Sequence, residues 1–171
     1  MKRITESGMV FQFPAEQIFQ IEGSALHRDI GEGIKTVEFI ACLKDNELDF
    51  IEAKSSSPRP TKENQDRFEE FISEIADKFI HSFNLYISAF LGRHDNHELT
   101  GRVGAVDNSK ARYKFILIIK GHQIDWLLPL KDALEKKILH HRKIWQSKVI
   151  LMNEEIAQKY KLVRKEVEVV S

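Results

Sequence analysis

Five consecutive large apolar residues, Phe115-Ile116-Leu117-Ile118-Ile119, limit the fold more than any other feature of this 171-residue chain. A half-exposed strand alternates apolar and polar side chains, so an unbroken run reads as a strand covered on both faces. The segment Tyr113 to Lys120 therefore belongs inside a sheet, with a layer above it and a layer below. Helices must supply those layers. The strongest candidate begins after Pro60, where Thr61 can cap it, and carries Phe68, Phe71, Ile72, Ile75, Phe79, Ile80, Phe83, Ile87 and Phe90 at three- and four-residue steps until Gly92. These phenylalanines are core-facing, not a platform for stacked bases. Leu134, Ile138, Leu139 and Trp145 give helical spacing to Leu130–Trp145. A further strand follows at Lys148–Met152, then a short helix near Glu154–Tyr160.

The first third of the chain reads differently. Val10-Phe11-Gln12-Phe13 alternates like a strand and stops at Pro14, and Ala15 to Arg28 forms a helix or two short turns interrupted at Gly23-Ser24. Ile34 to Leu43 and Leu48 to Lys54 are rich in apolar and β-branched residues around the polar turn Lys44-Asp45-Asn46-Glu47, the pattern of a β-hairpin. His94 to Asn108 is a polar loop in which Arg102 to Val106 can add a short strand. The predicted order is helix, strand pair, long helix, buried strand, helix, strand. This is an α/β core, expected as one domain over residues 1–171 with no internal repeat.

Composition narrows the function classes. Apolar residues make up 42% and charged residues 30%, values foreign to a disordered tail or a membrane protein. No apolar stretch of signal-peptide or membrane-spanning length is present, so neither export nor a membrane partner is expected. Cys42 is the only cysteine, which precludes an internal disulfide and a zinc site built mainly from thiolates. A cytoplasmic location follows as the expectation. Twenty-six bases balance twenty-six acids, yet they are unevenly distributed. Met1 to Pro60 holds seven bases against ten acids, and Lys110 to Lys148 holds ten bases against three acids. An acidic centre beside a basic flank suits metal chemistry on a phosphate backbone, while for the basic segment taken alone a solvated helix face is the better account.

Chemistry concentrates at the end of the second hairpin strand. Alternation puts Leu48, Phe50, Glu52 and Lys54 on one face and Asp49, Ile51 and Ala53 on the other. A carboxylate and an ammonium at core-facing positions carry a burial cost that something must offset. One answer is a hard divalent cation held by Glu52 with Glu38 from the preceding strand, with Lys54 orienting the attacking water. A strand-end ion pair is the other. Glu38 joins the face of Glu52 only in a particular register: pairing the two requires an odd-length loop such as Lys44-Asp45-Asn46, with Asn46 left-handed. A strict two-residue Asp45-Asn46 turn would put the carboxylates on opposite faces.

The segment Gly33-Ile34-Lys35-Thr36-Val37-Glu38-Phe39-Ile40, the turn at Asp45-Asn46, and Asp49-Phe50-Ile51-Glu52-Ala53-Lys54-Ser55-Ser56 together resemble the PD-(D/E)XK nuclease superfamily. In that family an acidic residue on one strand is followed across a hairpin by Glu-x-Lys on the next. The specific resemblance covers roughly residues 18–56; beyond it only the order of elements agrees. It implies a restriction-endonuclease-like core, a central mixed sheet with flanking helices, and a site of Glu38, Glu52 and Lys54. An acidic residue of the first helix often contributes, and Glu22 is the nearest match. The implied metal ligands are Glu38, Glu52, Glu22 and Ala53, holding Mg²⁺ or Mn²⁺. This chain departs from the family in having Glu38 where Asp is usual, preceded by Val37 instead of Pro.

The expected activity is Mg²⁺-dependent hydrolysis of phosphodiester bonds, in DNA before RNA. The alternative is a catalytically inactive module of the same fold that binds nucleic acid or a protein partner, a second copy of the chain included. A metal-dependent hydrolase of small phosphoesters is a third reading. His140-His141-Arg142-Lys143 reads as surface, since adjacent residues on a helix face different ways. His94-Asp95-Asn96-His97-Glu98 reads as a polar loop.

Overall fold

A computed structural model of the protein describes residues 1–166. The chain runs β1 (Lys2–Glu6), β2 (Met9–Phe13), a 3₁₀ turn (Ala15–Gln17), β3 (Ile18–Phe19), α1 (Ala25–Ile30), β4 (Phe39–Ala41) and β5 (Glu47–Lys54). A second 3₁₀ turn (Lys62–Asn64) leads into α2 (Gln65–Phe90) and α3 (Gly101–Gly104), then β6 (Arg112–Ile119) and a third turn (Ile124–Trp126). The rest is α4 (Leu127–Lys137), α5 (Leu139–Trp145), β7 (Lys148–Asn153) and α6 (Glu154–Lys159). The last five residues of the expected 1–171 domain lie outside the described residues.

Five strands form one mixed sheet in the order β3-β4-β5-β6-β7, flanked by helices. β3, β4 and β5 are mutually antiparallel, whereas β5, β6 and β7 are parallel. β6 is thus bounded on both sides, as its continuous apolar run requires. Phe115, Leu117 and Ile119 face the α2 layer with Phe50, Ile75, Phe79 and Phe83, and Ile116 and Ile118 face a second cluster with Phe11, Phe39, Ile51 and Ala157. Phe79 stacks on Phe115 with ring centroids 4.9 Å apart. The helix ends where Gly92 takes φ +76° and Arg93 N–H reaches back to the Ser88 carbonyl at 2.9 Å, closing the orphaned last turn.

Several expectations need correction. Lys2–Glu6 is a strand: it pairs with β2 through a two-residue turn in which Ser7 (φ 50°) and Gly8 (φ 74°) both have the positive φ that such a turn demands. Its sequence has only Ile4 as an apolar residue, too little to signal a strand. Arg102–Val106 is no strand but lies largely on α3, a single helical turn. Thr61 caps only the 3₁₀ turn before α2, and its side chain makes no capping bond. The Leu130–Trp145 helix is two helices, because Ile138 leaves helical geometry (φ −109°, ψ 25°) to bury its side chain. His140 is exposed, but His141 turns inward, its ring 4.5 Å from Phe83, and burial lowers its pKa to about 4.

Candidate metal centre

β5 and β6 run parallel, and their carboxyl ends open where ligands commonly sit in α/β sheets. At that end β5 delivers Glu52, fully buried, and Lys54, partly exposed. The hairpin register decides what joins them. Phe39 lies opposite Ile51, Ile40 opposite Phe50 and Ala41 opposite Asp49, and Asn46 adopts the left-handed φ of 52° that this alignment asks of the turn. Extending it by one residue sets Glu38 against Glu52. There the ladder slips, for Glu38 N–H donates to the Ile51 carbonyl at 3.1 Å.

Three carboxylates converge. Oxygens of Glu6, Glu22 and Glu38 lie within 4.8 Å of one another. Glu38 is buried, Glu6 half-buried and Glu22 exposed, so the group leads from solvent towards the buried Glu52. Glu22 does not stand on a helix as expected. It occupies the turn before α1, whose cap is Ser24, with the Ser24 hydroxyl accepting from His27 N–H at 3.1 Å. Glu6, at the end of β1, carried no signal in the sequence, since a lone acid after Thr5 is unremarkable until the fold brings it over the sheet.

A polar stripe of α2 completes the site. Lys78 Nζ donates to Glu52 Oε1 at 2.8 Å, and Lys54 Nζ donates to Glu74 Oε1 at 3.0 Å while lying 3.6 Å from Glu52 Oε1. Glu74 and Lys78 are one helical turn apart, and the next turn presents Ser82, whose buried hydroxyl accepts Val37 N–H at 2.8 Å. Val37 is the residue before Glu38, so Ser82 positions it. A small polar residue inside the Ile75, Phe79, Phe83, Tyr86 stripe was a legible clue. Replacing Ser82 with alanine strands a buried N–H, and a loss of about 1–3 kcal/mol is expected in chemical denaturation. Ala53 points its methyl to the opposite face, and its carbonyl accepts the Ser7 hydroxyl at 3.0 Å, which ties the β1–β2 turn to the end of β5.

The electrostatics are those of a crowded nest. Burial, reinforced by a hydrogen bond that protonated Glu38 donates to Glu22 and by the charges of Glu52, Glu22 and Glu6, raises the Glu38 pKa to about 9. Burial also raises Glu52, with Lys78 and Lys54 opposing it. Lys78 is raised on balance: its burial acts downward, and Glu52 outweighs that. A carboxyl whose folded pKa exceeds its unfolded value lends stability that is complete below the unfolded pKa and disappears as pH climbs towards the folded one. For Glu38 that window runs from 4.5 to about 9. The thermal midpoint of metal-free protein is expected to fall across it, with a slope of at most about 1.4 kcal/mol per pH unit from this group. Calorimetric scans at stepped pH check this, and a midpoint that rises from pH 5 to 9 would contradict it.

The nest fits a hard divalent cation on the chemistry of its donors. Glu52 Oε2 is buried and has no hydrogen-bond partner among the described residues, an expensive state that an oxygen-seeking cation relieves. The basic segment Lys110–Lys148 does not gather beside this nest. Arg112 and Lys114 pair with Glu47 at the far end of the sheet, Arg142 lies near Glu135, and by strand register Lys120 is the base at the carboxyl end of β6. Arg59, in the loop after β5, stacks over Trp126 at 3.6 Å and adds a cation to that end.

Comparison with protein-family models, with curated proteins and with solved structures finds no match to this chain. No helix among the described residues is long and apolar enough to cross a membrane.

Proposed function

We propose that the protein is a divalent-metal-dependent nuclease with a restriction-endonuclease-like core, hydrolysing phosphodiester bonds of DNA in preference to RNA. The observation that carries this reading is the unpartnered Glu52 Oε2 beside the Glu6–Glu22–Glu38 cluster, with Lys54 on the same face. The antiparallel pair β4–β5, followed by α2 and then by β6 parallel to β5, supports the same fold.

Glu38, Glu52, Glu22 and Glu6 would hold Mg²⁺, or Mn²⁺ in its place. When bound, such an ion neutralises charge on the scissile phosphate and makes a bound water more acidic. Lys78 opposes the effect of burial on Glu52 and so favours the charged form of the deepest donor. Lys54 shares its charge between Glu52 and Glu74; a shift away from Glu74 lets its ammonium orient the attacking water or steady the phosphate. Glu74, held below the usual carboxylate range by its hydrogen bond from Lys54, remains a charged anchor for that lysine.

Nicking of supercoiled plasmid in the presence of Mg²⁺ tests the proposal. Lys54→Ala is expected to slow it by about 10²–10⁴-fold, the usual contribution of a positioned proton-transfer or water-orienting group. Calorimetric Mg²⁺ binding without any nicking would favour the inactive module. Absence of both would remove the metal centre altogether.

A further inference from the structure

The opposite face of the sheet holds a cavity, at the amino ends of β5 and β6, of about 380 Å³. Ile116 from β6, Ile150 and Met152 from β7, Ile156 from α6, and Leu162 beyond it give it an apolar surface, and Lys44, Glu47 and Lys114 give it a charged one. Asp49 of β5 sits in this lining although it is only 5% exposed. Its Oδ1 atom is buried and has no hydrogen-bond partner among the described residues. Lys44 lies near enough to act on Asp49 through its charge, while Lys114 and Glu47 are engaged with each other. Lys114 Nζ donates to Glu47 Oε1 at 2.6 Å, and Arg112 lies 3.3 Å from Glu47 Oε2. Glu47 is therefore satisfied twice, and Asp49 is left with an unpartnered acceptor in the lining of a partly apolar chamber.

A desolvated carboxylate oxygen without a donor is costly, and the cost falls away when a ligand supplies an N–H. The strongest such bond comes from a charged donor. The volume lies at the small end for ligand pockets, enough for one ring or a short alkyl chain and too little for a folded peptide segment. We propose that this cavity is a binding site for a small primary ammonium compound, whose nitrogen donates to Asp49 Oδ1 while its apolar body lies against Ile116, Ile150, Met152 and Ile156. The site is separate from the carboxylate nest: Asp49 and Glu52 lie on opposite faces of β5, and neither proposal depends on the other.

Benzylamine is the probe, titrated into the full-length protein by calorimetry and by backbone amide chemical shifts, with benzyl alcohol as the neutral analogue of the same shape. The expected result is saturable binding of benzylamine at least tenfold tighter than benzyl alcohol, with shifts clustered on β6, β7 and α6. Asp49→Asn should erase that preference while the protein stays folded, since among the described residues the Asp49 side chain makes no hydrogen bond to lose. Ile116→Trp, which fills the chamber, should block both probes. Equal affinity for amine and alcohol, undiminished benzylamine binding in Asp49→Asn, or no binding at millimolar probe would each overturn the proposal. Mg²⁺ titration of the same samples reports separately on the carboxylate nest.

Discussion

Glu52→Ala is expected to cost the metal-free protein about 3 kcal/mol and to abolish plasmid nicking, because the substitution strands Lys78 as a largely buried cation. The Lys78 side chain is 14% exposed and its ammonium donates to Glu52 at 2.8 Å. Breaking a buried pair from one side typically costs about 3–5 kcal/mol, since the surviving charge keeps its desolvation penalty. The lower end applies here because Glu38 and Glu22 are close enough to act on Lys78. Denaturant midpoints of the parent and variant measure the loss, and Glu52→Gln, which retains an acceptor for Lys78, should recover part of the stability and none of the nicking.

Glu38→Gln should behave in the opposite sense. At pH 8 the parent spends free energy keeping Glu38 protonated against a pKa of about 9 in the fold and 4.5 outside it. The neutral amide avoids that penalty. A gain on the order of a few kcal/mol in metal-free protein is expected at pH 8, shrinking to nothing near pH 4 where both forms are uncharged. With Mg²⁺ at saturation the order reverses, because the parent gains binding energy that the variant lacks. Thermal scans with and without Mg²⁺ at both pH values decide it; a Glu38→Gln variant that is less stable than the parent at pH 8 without metal would show that this carboxyl is held by structure and not strained by its neighbours.

These two variants separate what the sequence could reveal from what it could not. Alternation along β5 is a local property, so the shared face of Glu52 and Lys54 was legible from Leu48 to Lys54, whereas register arithmetic left two turns open and the observed pairing, with Asn46 left-handed, is the odd-length one. The α2 helix was legible for the same reason, its apolar spacing being dictated by one element. Glu6 and Lys78 were not, because their importance is set by contacts between elements distant along the chain. Lys78 interacts with Glu52 across 26 positions, and nothing in the local pattern of either predicts the meeting. Glu22 was identified by type and approximate place, but the helix expected to carry it starts only at Ala25, since Gly23 at φ +70° and the Ser24 cap postpone it. His141 was misread because helical geometry says which way a side chain leaves the backbone and not how close the next layer comes.

The turn at Ser7-Gly8 is clamped from two directions, by the Ser7 hydroxyl on the Ala53 carbonyl and by the Lys120 ammonium on the Gly8 carbonyl. The second clamp joins residues 112 positions apart. During synthesis on the ribosome, Glu6, Glu22, Glu38 and Glu52 all emerge well before the lysine that pins the first of them in position. A chain that stops short of the end of β6 thus carries every acid of the nest without the completed scaffold.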